Sequence, residues 1–136
     1  MEEKRKYDLE ERLIDFAVLI INITESLYNT RAENHIGGQL VRSGTSPALQ
    51  YGEAQSAESR ADFIYKLKVL LKELRESKNA MRIIKKAPLT DKMENVDKGL
   101  SECNELISIF VKSIETAKKN LELEKKNKTQ TKKYGE

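Results

Sequence analysis

Apolar residues recur along this chain at alternating steps of three and four, the spacing of one buried helical face. Leu9, Leu13, Phe16, Ile20, Ile23 and Leu27 form the first such seam and predict a helix over about residues 8–29. A second stripe on the same segment holds Ile14, Val18, Ile21 and Tyr28. An apolar surface that wide exceeds the needs of a helix with one buried side. It predicts a core contact on one side and a partner surface on the other.

The segment from Gln39 to Lys68 departs from this pattern. A second helix is predicted over about residues 35–55, after a polar linker from Thr30 to Asn34. Its seam of Ile36, Leu40, Ser43, Pro47, Gln50 and Ala54 keeps the spacing, but most of these side chains are small or polar. Small residues let two backbones approach closely. Pro47 removes a donor and crowds the carbonyl of Ser43, which predicts a kink. A break with Ser46 as N-cap is the competing reading; the continuing seam favours the kink.

A third helix is predicted from Ser59 or Arg60 to about Lys86, with Phe63, Leu67, Leu70, Leu74, Ser77, Met81 and Ile84 on its seam. Ala87-Pro88-Leu89 ends it, because the residue before a proline is biased away from the α region. Thr90 or Asp91 is placed to cap a fourth helix. Its seam runs Met93, Val96, Leu100, Cys103, Ile107, Phe110, Ile114, Ala117, Leu121, the longest in the chain. Short links between four amphipathic helices predict an all-α fold, an antiparallel up-and-down four-helix bundle over residues 1–120. Residues 121–136 are Lys-rich without an apolar period and predict a frayed or disordered tail.

Composition narrows the function. Cys103 is the only cysteine and falls on an apolar seam, where it reads as a small buried hydrophobe. One Cys and one His, His35, cannot assemble a zinc cluster. There is no phosphate loop, and Ser43, Thr45 and Ser46 lack the turn a nucleophilic serine needs. A non-catalytic protein without metal or cofactor is expected. The N-terminus lacks a secretory apolar run and no segment is long enough to span a membrane, so a cytoplasmic location is expected.

Charge is segregated. Residues 60–86 carry nine basic and three acidic residues, while residues 1–33 carry five and eight, and residues 91–117 three and six. Lys68, Lys72, Arg75, Arg82 and Lys86 form a stripe on the third helix, one position off its core seam. Three readings are open: contact with nucleic-acid phosphates, pairing with the acidic first and fourth helices inside or between subunits, or plain solvation. Arg42 is likewise either a nucleic-acid contact or an ion-pair partner of Glu53, Glu58 or Asp62 of another helix or subunit; a structural pairing is favoured. Tyr51 is a candidate for stacking on a base, but packing suits it better.

Leu40-Val41-Arg42-Ser43-Gly44-Thr45-Ser46, then Tyr51-Gly52-Glu53-Ala54 and Ala57-Glu58-Ser59, form an ordered motif. Asp62-Phe63, Lys66-Leu67-Lys68 and Leu71 to Ser77 extend it. With these residues the chain resembles, over about residues 8–117, the bacterial four-helix-bundle proteins encoded by intervening sequences of large-subunit rRNA genes, also called S23-type. Two departures are Gln50 in place of Asn and the absence of a Trp after Ser77. The family is similar in fold to the accessory bundle protein of diversity-generating retroelements, which works with a reverse transcriptase. The resemblance implies a homopentamer and binding of RNA or DNA, with no established enzymatic activity. It assigns Gly44, Pro47, Tyr51, Glu53 and Glu58 to packing and assembly.

Overall fold

Each seam becomes one wall of a common core. In the computed structural model, which describes the backbone of residues 2–134 and the side chains of residues 9–129, the chain forms α1 (Glu2–Glu25), α2 (Arg31–Gln55), α3 (Arg60–Lys86) and α4 (Met93–Tyr134). Successive helices are antiparallel neighbours, and the ring closes where α4 returns to α1. That last interface is the sparsest. Phe16, Ile20, Leu67, Leu74 and Phe110 are fully buried at the centre. Removing such side chains from water, at roughly 25 cal/mol per Å² of apolar area, is the main stabilising term. The all-α bundle predicted from periodicity is therefore the fold.

The α1–α2 connection differs from expectation. Helix α1 stops at Glu25, before Tyr28, and α2 begins at Arg31, before His35. The cause is a long-range pairing between the two loops at this end. The Tyr28 amide donates to the Leu89 carbonyl at 3.1 Å. Ser26 and Thr90 join their hydroxyls at 2.9 Å, and Thr90 Oγ1 also donates to the Ser26 carbonyl at 3.0 Å. These bonds take the backbone out of the helix, and Leu27 and Thr90 form an isolated antiparallel bridge. Thr90 serves α4 as expected of a start signal, accepting the Lys92 amide at 3.0 Å. His35 consequently lies inside α2, with an exposed side chain.

Helix α2 runs unbroken through Pro47. Its small residues are explained by α1. A Cβ at Gly44 would sit 2.6 Å from both Cγ1 and Cγ2 of Ile20. At this crossing the two backbones are as close as a missing side chain permits. Beside the proline, the Thr45 and Ser46 hydroxyls donate to the carbonyls of Val41 and Arg42, both at 2.6 Å, a common use of hydroxyls within helices. Helix α3 starts where predicted: Ser59 is the N-cap, and its hydroxyl accepts the Asp62 amide at 3.0 Å, a bond worth about 1 kcal/mol.

Past Leu121 helical backbone continues to Tyr134, but every described side chain from 122 to 129 is exposed. The apolar seam thus ends where the sequence ends it. The side chains of residues 130–136, part of the expected tail, lie outside the described residues.

Candidate nucleic-acid interface

Helix α3 buries one face against α2 and α4 and turns another outward. At 3.6 residues per turn, Lys68, Lys72, Arg75, Arg82 and Lys86 fall within an arc of about 80° and extend about 27 Å along the axis. All five are exposed. Among the described residues none of them takes part in an ion pair or a side-chain hydrogen bond.

Several acidic groups of α3 and α4 are engaged by other cations. Lys85, on the α4 side of α3, holds Asp97 at 2.7 Å. Arg60 holds Glu124 at 2.8 Å, and Lys66 holds Asp62 one turn away at 3.1 Å. Arg12 of α1 grips Glu102 of α4 with two nitrogens, at 2.6 and 3.1 Å, and reaches Glu105 at 2.7 Å. The hydrogen bond to Glu102 is the main reason the Arg12 guanidinium is held even more firmly protonated than usual. Pairing of the stripe with the acidic first and fourth helices therefore does not occur among the described residues of this chain.

Arg42 sits apart from the stripe. Its guanidinium bonds Glu73 at 3.0 Å and Glu76 at 2.8 Å, both on α3. This corrects the expected partners. Glu53, Glu58 and Asp62 lie near the α2–α3 turn, and eleven residues of helix place Glu53 about 16 Å along the axis from Arg42. In an antiparallel hairpin the residues opposite Arg42 are those around 73–76. Glu53 and Glu58 are exposed, and the backbone amide of Glu58 donates to Asp62 Oδ2 at 3.4 Å. Gly44 and Pro47 are buried at intrachain helix contacts.

Tyr51 is half-buried and meets Phe110 edge-on, with ring centroids 5.9 Å apart and planes at 72°. Burial pushes its phenol above the ordinary tyrosine range. It packs, and is not an open stacking surface. The aromatic that the sequence reading passed over is Tyr65, which is 65% exposed on α3, one turn before Lys68. Its signal was available: Tyr65 is an aromatic off the α3 seam, three and seven residues before two stripe lysines.

Exposed apolar residues gather elsewhere too. Ile14, Val18 and Ile21 stand 41–51% exposed on the outer side of α1, and Leu49 is 73% exposed on α2. On α2, Gly38 and Gly52 face open space. Cys103 is fully buried, and its thiol donates to the Leu74 carbonyl at 3.1 Å; burial pushes the thiol up to about 12. Among the described residues no group of His, Cys, Asp and Glu is placed to hold a metal, and no helix is long and apolar enough to cross a membrane.

The sequence model of the 23S rRNA-intervening sequence protein family matches residues 5–112. The chain belongs to that family. Comparison with curated proteins finds no match. Among solved structures, the bundle is similar to a protein of unknown function from the S23 ribosomal protein family of Bacteroides thetaiotaomicron. The two are 32% identical with a TM-score of 0.69, over 78% of this chain and 97% of the other. The 23S rRNA-intervening sequence match runs from α1 into α4 and leaves out residues 113–134 of that helix, among them the buried Ile114 and Ala117.

Proposed function

We propose that this 23S rRNA-intervening sequence family protein is a non-catalytic, homo-oligomeric helical bundle that binds nucleic acid through the outer face of α3. The observation that carries this reading is the set of five exposed cations without ion-pair partners among the described residues, while Asp62, Asp97 and Glu124 are engaged by other cations. Their spacing along α3 is shorter than, or close to, the screening length of about 10 Å at 0.1 M salt, so they act as one field. A polyanion meeting that field releases counterions, which gives salt-dependent and sequence-tolerant affinity. The name of the S23 neighbour fits a ribonucleoprotein setting. Self-association is motivated by Ile14, Val18 and Ile21, an apolar strip that a second copy would cover; the pentamer is the form the resemblance implies.

Retention on RNA and on duplex DNA across a salt series tests the proposal. Five phosphate contacts per protomer correspond to a slope of about −4.5 in log K against log salt for duplex, and about −3.5 for single strands. Lys72→Glu combined with Arg75→Glu abolishes retention if the reading is right. No binding at the lowest salt rejects it. A second reading uses the same exposed strip of α1: a protein-interaction scaffold, such as an accessory subunit for a reverse transcriptase, without affinity for nucleic acid. Co-purification with such a partner, together with failure of the salt series, would select it.

A further inference from the structure

Resting on the nucleic-acid reading above, we propose that the α3 face is a track for single-stranded nucleic acid, with Tyr65 as the platform on which an unpaired base stacks. Three observations converge on α3. Tyr65 leaves 65% of its surface in water, and it has no aromatic or hydrogen-bonding partner among the described residues. It shares the outward side of α3 with the cations, so a strand whose phosphates lie on Lys68 and Lys72 brings a base over the ring. Base–aromatic stacking is indifferent to sequence because every base has a π-face.

At the far end of the stripe is a second holding point. A depression of about 560 Å³ is lined by Asn79, Arg82, Ile83, Lys86 and Ala87. Its lining combines the apolar side chains of Ile83 and Ala87 with two cations, and Asn79 offers an amide able both to donate and to accept. That combination suits a splayed nucleotide: base against the apolar side chains, phosphate on the cations.

Shape argues against duplex. A helix reads B-DNA by entering a major groove about 12 Å wide. Here α2 and α4 flank α3, and packed helices lie only 8–10 Å apart between axes, so the bundle is too broad to follow it in. From outside, a straight stripe of about 27 Å meets a phosphate backbone that winds most of the way round the duplex over that length. A flexible single strand has no such constraint.

The test uses the full chain and three labelled probes of equal length: oligothymidylate, oligouridylate and a blunt duplex. Tighter binding of either single strand than of the duplex is expected. Tyr65→Ala is expected to weaken single-strand binding by about five- to a hundredfold, the loss of one stacked base, and to leave duplex binding unchanged. Tyr65→Phe should retain wild-type affinity. The chain contains no tryptophan, so Tyr65→Trp supplies a sole reporter whose emission should be quenched as oligothymidylate is added. Equal affinity for single strand and duplex overturns the inference, as does unchanged single-strand affinity in Tyr65→Ala; either result leaves phosphate binding by α3 standing. A change of oligomeric state in Tyr65→Ala also overturns it, by assigning the ring to a contact between copies. Failure of every probe to bind at low salt rejects both readings together.

Discussion

Across the α2–α3 interface the buried hydroxyl of Ser77 donates to the buried hydroxyl of Ser43 at 2.9 Å. The Leu40 carbonyl lies 3.4 Å from Ser43 Oγ, and the Glu73 carbonyl 3.0 Å from Ser77 Oγ. Two seam positions without apolar side chains thus satisfy each other and the local backbone. Either serine replaced by alanine leaves its partner one bond short in a dry site, at a cost of about 1–2 kcal/mol. Replacing both removes the pair together and should cost less than the sum of the single changes. Urea unfolding of the two single variants and the double variant, at one protein concentration, checks this; strict additivity would show that the hydroxyls do not communicate.

Gly44 and Gly52 lie on the same helix and predict opposite outcomes. A methyl at Gly44 collides with the stiff, β-branched Ile20. Gly44→Ala should therefore destabilise by about 1–3 kcal/mol, the usual range for overpacking. At Gly52 nothing lies within 4 Å of the new carbon, and Gly52→Ala should stabilise by about 0.5–1 kcal/mol through helix propensity. Thermal melts of both variants distinguish a glycine kept for close approach from one that the monomer does not require.

Val18 tests the exposed strip of α1. It is 51% exposed, so Val18→Glu places a charge in water if the protein is a monomer, and little changes. Under a second copy the same charge is buried unpaired, and the assembly should dissociate. Light scattering reports the mass, and circular dichroism checks that the helices persist. A wild-type protein that is already monomeric at micromolar concentration would remove the case for self-association.

Cys103 gives a prediction in pH. Burial raises its thiol from an ordinary 9.0 to about 12, so the folded chain retains a proton that the unfolded chain has released. Stability associated with this group is complete below about pH 9 and is lost as pH rises toward 12. Cys103→Ala should flatten that part of the stability curve, although the cavity lowers the whole curve. A thiol reagent at neutral pH should modify the native protein only at the rate at which it opens.

Periodicity was sufficient to place all four helices, because six or more positions at alternating steps of three and four define one face of a helix. It could not end α1. The residues that stop that helix, Ser26 and Tyr28, do so through Thr90 and Leu89, about sixty positions away, and no local signal records such a bond. The ion pairs were illegible for a related reason. Arg42 has acidic residues within reach in the sequence at Glu53 and Glu58, but its partners follow from how far α2 and α3 slide before packing. Arg12 and Glu102 are invisible until α1 and α4 are side by side. The basic stripe was legible in position, since it lies on one helix. That it has no partner among the described residues was not, since this required knowing where their carboxylates go.

The pairing of Leu27 with Thr90 makes the two ends of the bundle unequal. At one end both loops are stitched together. At the other are a single short turn, the first described turn of α1, and a length of α4 reaching about 15 Å beyond Glu124. The molecule therefore has a shut end and an open end. In a closed ring of such units whose bundle axes run along the rotation axis, that polarity is inherited: one rim carries the stitched loops, and the other carries every lysine-rich helix end together. The two rims would then be chemically distinct.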